Sequence, residues 1–127
     1  MSSLVLIDSS VWVAVSRGGD EALKQEVADL LNAGRAAMTW PVWVELYQGA
    51  GGKREEKAVN DWREICQWLK FDEACWTRSA LTARSCLRAG VNVPFGDVLI
   101  HACAKCHGVE LLERDRHFAM IQKAMES

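Results

Sequence analysis

Among the 17 acidic residues of the chain, four occupy places where carboxylates can gather. Asp8 directly follows the apolar run at residues 4–7, and Asp115 comes just after a second apolar run at residues 109–112. Glu45 lies about a turn into the helix expected after a further strand, and Asp97 lies at the start of a helix. In an open parallel sheet, sites form beyond the carboxyl ends of the strands, usually where the strand order reverses. Four acids from four distant segments are therefore expected on one rim. Helix N-termini stabilise part of that charge, yet neighbouring carboxylates repel one another and raise their own pKa values. A divalent cation resolves the conflict, and an all-oxygen set favours Mg2+ or Mn2+ over zinc. Each position has a plainer reading, an aspartate as a helix cap or a glutamate as a solvated charge. The four together exceed what capping requires.

The elements that must position these acids are read from periodicity. Residues 4–7 (Leu-Val-Leu-Ile) form a short, wholly apolar run, as a central parallel strand covered on both faces must be. A first helix is expected from Ser9 or Ser10 to about Arg17, ended by Gly18-Gly19. Asp20 then caps a helix with Leu23, Val27, Leu30 and Leu31 inward, closed by Gly34. Residues 36–39 read as a second strand, and Pro41 suits the first turn of the helix that carries Val44, Glu45 and Tyr47. Val59, Trp62, Cys66 and Leu69 keep helical spacing, with a weak third strand near residues 69–71. Trp76, Ala80, Ala83 and Leu87 mark another helix, stopped by Gly90. Gly96-Asp97 opens a helix to about His107, residues 109–112 give the last strand, and Asp115 begins a terminal helix with Phe118, Ile121 and Met125 inward. Strands alternating with helices imply right-handed crossovers onto a parallel sheet with helices on both faces.

Composition sets the outer bounds. The chain has 127 residues, 50% hydrophobic and 25% charged, with a formal net charge of -2. That excludes collagen-like and disordered classes and fits one domain, residues 1–127, with one core. The apolar runs are far too short for the roughly 20 residues of a membrane span. Met-Ser-Ser-Leu lacks the features of a secretory signal, so the chain is expected to begin here and to stay in the cytoplasm. Five cysteines, an odd number, read as free and mostly buried thiols. The slight negative charge argues against a coat-like nucleic-acid binder but leaves a nuclease open, provided there is a local positive surface or a bound cation.

These segments together resemble the PIN-domain ribonucleases, and specifically the VapC toxins of toxin-antitoxin pairs. Leu-Ile-Asp-Ser-Ser-Val-Trp (residues 6–12) is similar to the family's opening strand and first acid, Asp8. Pro-Val-Trp-Val-Glu-Leu (41–46) resembles the second motif, with Glu45 as its acid. Pro-Phe-Gly-Asp-Val-Leu-Ile-His-Ala-Cys-Ala (94–104) places the third acid on Asp97, and Leu-Leu-Glu-Arg-Asp-Arg-His-Phe (111–118) places the fourth on Asp115. The sequence departs from the pattern at His117, where a second aspartate is frequent, at Glu113, where a small hydroxyl or amide residue is frequent, and at His101, commonly alanine.

The resemblance implies a PIN-like three-layer α/β/α fold with a short central parallel sheet. It also implies endonucleolytic cleavage of RNA leaving a 5′-phosphate and a 3′-hydroxyl, a homodimer, and a cognate antitoxin whose arm occupies the acidic groove. Phosphodiester hydrolysis needs charge neutralisation, an activated water and relief for the leaving alkoxide, all of which Mg2+ or Mn2+ assists, singly or as a pair. Asp8, Glu45, Asp97 and Asp115 are assigned to metal coordination and catalysis, with one free to orient or deprotonate the water. Ser10 is read either as a partner within the acid cluster or as part of a helix N-terminal turn. Arg114, Arg116 and His117 flank Asp115 and are candidates for holding phosphate, against the bland reading of surface arginines.

His101 is a candidate supporting residue or extra ligand, against a merely tolerated one. The run from His101 to His107 also invites a zinc or redox reading, but on a continuous helix His101, Cys103, Cys106 and His107 cannot all face one ion. Trp12, Trp40 and Trp43 fall near the expected rim as base-stacking candidates; burial is the default for all six tryptophans, including Trp62, Trp68 and Trp76. Two alternatives stand beside the nuclease. One is a catalytically silent PIN-like module that binds RNA or a protein. The other is a phosphoacceptor receiver domain, which is poorly served because two serines follow Asp8 and no lysine lies near Leu112.

Overall fold

The computed structural model describes residues 3–126. Its strands are β1 (Val5–Ile7), β2 (Ala36–Met38), β3 (Gln67–Trp68) and β4 (Glu110–Leu112). Its helices are α1 (Ser9–Arg17), α2 (Glu21–Asn32), α3 (Trp40–Gly49), α4 (Lys53–Ile65), α5 (Glu73–Arg88), α6 (Phe95–His107) and α7 (His117–Glu126). The sheet order is β3-β2-β1-β4 and every pair is parallel. Helices flank the sheet in the three-layer α/β/α arrangement. The chain steps outward from β1 through β2 to β3, then crosses back to place β4 on the other side of β1. That reversal opens a crevice at the carboxyl ends of β1 and β4, where open α/β sheets place their ligands. The β1–β4 register pairs Ile7 with Leu112, so the next residues out on the two strands are Asp8 and Glu113.

β1 and β2 are buried along their whole length, which explains their uniformly apolar or small side chains. α1 starts where Asp8 caps it and ends at Gly18, whose φ of 78° allows the chain to leave the helix. Asp20 and Asp72 cap α2 and α5, each accepting from the amide three residues on, where Asp8 accepts from the amide two residues on.

Three expectations shift. The strand anticipated at residues 69–71 lies at Gln67–Trp68, and α4 ends at Ile65. Cys66 and Leu69 are buried, but beyond the helix end, so their helical spacing was coincidental. α5 buries Cys75, Ser79, Thr82 and Cys86 instead of the stripe at Trp76, Ala80, Ala83 and Leu87. The hydroxyls of Ser79 and Thr82 donate to the carbonyls of Cys75 and Arg78, so this polar face enters the core satisfied, leaving Trp76 and Leu87 exposed. In α7, Ala124 is buried with Phe118 and Ile121, and Met125 only partly. No helix among the described residues is long and apolar enough to cross a membrane. All five cysteines are free, four of them buried.

Candidate functional site

Asp8 sits at the end of β1, where its amide donates to the Leu112 carbonyl at 2.9 Å and so continues the β1–β4 ladder. Only 1% of it is exposed. Oδ2 accepts from the Ser10 amide at 3.0 Å and from the Ser10 hydroxyl at 2.6 Å. The Ser10 hydroxyl in turn accepts from the Arg114 amide at 3.0 Å. Ser10, in the first turn of α1, therefore ties the carboxylate at the end of β1 to the loop after β4.

Glu45 projects from α3, and its Oε1 accepts from the Ser9 hydroxyl at 2.9 Å. Its Oε2 rests against the backbone of Gly96, where any Cβ would collide with it. Asp97, in the first turn of α6, is 5% exposed. Ligand oxygens of Asp8, Glu45 and Asp97 lie within 4.8 Å of one another. Asp115 enters from the loop before α7. Its Oδ1 accepts from the His117 amide at 2.9 Å, and His117 Nδ1 stands 3.0 Å from Asp97 Oδ2 and 2.7 Å from Asp115 Oδ1. Two carboxylate oxygens around Nδ1 require a proton there, so the imidazole clamps the third and fourth acids together.

The electrostatics follow from crowding. Burial holds the Asp97 carboxyl up at about 6, with the charges of Asp115, Asp8 and Glu45 adding to the rise and His117 opposing it. Burial also raises Asp8, against the two hydrogen bonds from Ser10, and raises Glu45 against that from Ser9. Glu113 is raised by burial and by Asp8 and Asp115, making it a fifth acid at the margin. Among the described residues, Oδ1 of Asp8 is buried with no hydrogen-bond partner. A buried anionic oxygen without a donor is costly, and a hard cation among oxygen donors answers it. The residues fit such an ion.

Other sequence candidates fall elsewhere. His101, buried at 6% exposure, pairs through Nε2 with Gln122 of α7 at 3.0 Å and belongs to neither carboxylate group. Burial lowers its pKa. Arg114 directs its guanidinium to Asp20 at 3.1 Å, while Arg116 is exposed and makes no ion pair among the described residues. Trp12 is 1% exposed and stacks on Trp62 with centroids 4.8 Å apart, which removes it from base stacking. Trp40 is half-exposed, against Trp43 and Trp68, with the Arg63 guanidinium 4.9 Å from the rings of both Trp40 and Trp43. The sequence reading missed Ser9 and the contact role of Gly96. Adjacent serines behind a strand-end aspartate were the available signal for Ser9; nothing local signalled that Gly96 would meet Glu45.

A family model described as the PIN domain matches residues 5–124. Over 124 residues the chain is 32% identical to ribonuclease VapC11 of Mycobacterium tuberculosis, spanning 94% of this chain and 92% of that protein. The same figures hold for VapC ribonuclease Mb1587 of Mycobacterium bovis. Among solved structures, VapBC-1 from nontypeable Haemophilus influenzae aligns with a TM-score of 0.78 at 17% identity, covering 94% of this chain and 93% of that one. FitAcB from Neisseria gonorrhoeae aligns at 0.76 and 19% identity, covering 94% of each. At those identities the two structures show a shared fold.

Proposed function

Because the chain belongs to the PIN-domain family, and within it to the VapC-type toxins, we propose that it is a divalent-metal-dependent endoribonuclease and the toxin of a toxin-antitoxin pair. The observation that carries this reading is the convergence of Asp8, Glu45 and Asp97, together with a buried Asp8 oxygen that lacks a hydrogen-bond donor. Asp8, Glu45, Asp97 and Asp115 would hold Mg2+ or Mn2+. When bound, the ion supplies neutralisation of phosphate charge and a more acidic water.

The remaining work belongs to side chains of the protein. Ser10 fixes Asp8 in one rotamer while leaving Oδ1 free, and Ser9 does the same for Glu45, so two acids are aimed before substrate arrives. Asp97, raised to about 6 by burial and by the charges of Asp115, Asp8 and Glu45 in the metal-free chain, would be held ionised by the cation that it helps to bind. His117 bridges Asp97 and Asp115 in the metal-free chain and would give those oxygens up to the ion. Arg116 is positioned to meet a phosphate near Asp115, and Trp40 offers a half-exposed ring for an unpaired base.

An antitoxin is the partner this reading expects. A groove of ≈330 Å³ beside Glu45, lined by Trp40, Val44, Phe71, Trp76 and Phe95 among others, gives its apolar side chains a surface to cover. A second copy of the chain is the other expected partner. RNA cleavage by the purified protein tests the reading. Mg2+-dependent cutting that stops with chelator and falls at least about 100-fold in Asp97→Asn is expected. Tight RNA binding with no cutting under any divalent ion would favour the silent binding module instead.

A further inference from the structure

A second group of metal-ligating side chains lies away from the carboxylates, between α5 and α6. Atoms of Cys75, Cys103 and His107 lie within 4.8 Å of one another. Cys103 and His107 are four residues apart on α6 and so share a face. Cys106, three residues from Cys103, lies on that side of the helix too, near enough to Cys75 to act on it electrostatically. His101 is turned instead toward Gln122. The α6 residues therefore supply three donors, and the fourth comes from α5, which the sequence alone did not connect to them.

The cluster is gathered around a backbone carbonyl. The Cys75 thiol donates to the Lys70 oxygen at 3.4 Å, and His107 Nε2 meets the same oxygen at 2.7 Å. Cys103 donates to the Thr39 hydroxyl at 3.5 Å. Two of the three thiols thus donate only at long range, to Lys70 and Thr39, which are weak partners for buried groups. In a tetrahedral thiolate site with metal–sulfur bonds of about 2.3 Å the sulfurs stand about 3.8 Å apart, so a small contraction of side chains already within 4.8 Å suffices. Cys75 and Cys103 are buried, Cys106 is partly open and His107 is exposed, giving an ion an entry from the His107 side. Asp72, the exposed cap of α5, faces that entry and is electrostatically coupled to His107.

We propose that Cys75, Cys103 and His107, with Cys106 closing the set, bind a borderline-soft divalent cation of the zinc class and thereby tie the start of α5 to the end of α6. Soft sulfur and imidazole donors separate this site from the oxygen-only carboxylate site, and ten residues of α6 place Asp97 about 15 Å from His107. Each coordinating thiol releases one proton to solvent on binding. Because each of these thiols must lose its proton to bind, affinity rises with pH. No oxidant or reductant is involved.

The test is titration of the full chain, in reducing buffer, with Co2+ alone and with Zn2+ alone. One equivalent of Co2+ is expected to give a thiolate-to-metal charge-transfer band, unchanged in Asp8→Asn and in Cys86→Ser, whose thiol is buried elsewhere in α5. His107→Ala and Cys106→Ala change solvent-accessible residues and should fold. Each is expected to weaken Zn2+ binding at least about 10-fold and to abolish most of the Zn2+-induced rise in melting temperature. Absence of the band, equal Zn2+ affinity in wild type and His107→Ala, or a disulfide among these cysteines that forms in air despite saturating Zn2+ would each overturn the proposal.

Discussion

His117 Nδ1 lies 3.0 Å from Asp97 Oδ2, so an imidazole from α7 occupies the place between acids where a cation would also draw them together. One nitrogen cannot present a proton to two carboxylates and leave those oxygens free for an ion. His117→Ala should therefore lower the stability of chelator-treated protein by about 1–2 kcal/mol and lower that of Mn2+-loaded protein by less. Thermal melting with and without Mn2+ checks this. Equal losses in both states would show that the imidazole merely packs.

The raised carboxyls make a signed statement about pH. Asp97 titrates at about 6 in the folded chain against an ordinary 3.8, so folding favours its protonated form. In the metal-free protein that contribution is present at low pH and is lost as pH rises through about 6. Asp97→Asn should accordingly raise metal-free stability at pH 7 by about 1–3 kcal/mol, with little effect at pH 4, while activity disappears. Melting curves at the two pH values decide it; a variant destabilised at both would remove the repulsion argument.

Ser10→Ala removes the two-way link between Asp8 and the Arg114 amide. Without the hydroxyl that lowers it, the Asp8 carboxyl should rise further. Mn2+ affinity then falls as pH drops sooner than in wild type, and the acid limb of the rate profile moves to higher pH. A loss of about 1 kcal/mol in stability accompanies it. An unmoved acid limb would contradict the role given to Ser10.

Gly96→Ala places a Cβ against Oε2 of Glu45. The end of a long side chain can swing away, so stability should change by less than about 1 kcal/mol. The displaced carboxylate should nevertheless cost about 10- to 100-fold in cleavage rate. Wild-type activity in this variant would mean that Glu45 need not sit where it does.

β1 and β2 were readable because each is a short run of apolar or small residues, and Asp8 and Asp97 because one follows a strand and the other lies in the first turn of a helix. What local sequence could not supply was rotation and partnership. α5 carries Trp76 and Leu87 on a face that periodicity assigned to the core, yet Ser79 and Thr82 enter it because their hydroxyls bond to the helix itself. β3 is two residues long, too short for any pattern. Trp12 was placed at the rim by its nearness to Asp8, but it points into the core onto Trp62. Gly96 against Glu45, and Cys75 beside Cys103, are contacts between segments that only the assembled fold brings together.

The most direct test measures Mn2+ binding and RNA cleavage on the same samples of wild type and Asp8→Asn, with folding verified by melting. The expected result is that both fall together in the variant, cleavage by at least about 100-fold. A folded Asp8→Asn protein that no longer holds the ion yet cuts RNA at the wild-type rate would contradict the assignment of this carboxylate cluster as the hydrolytic centre.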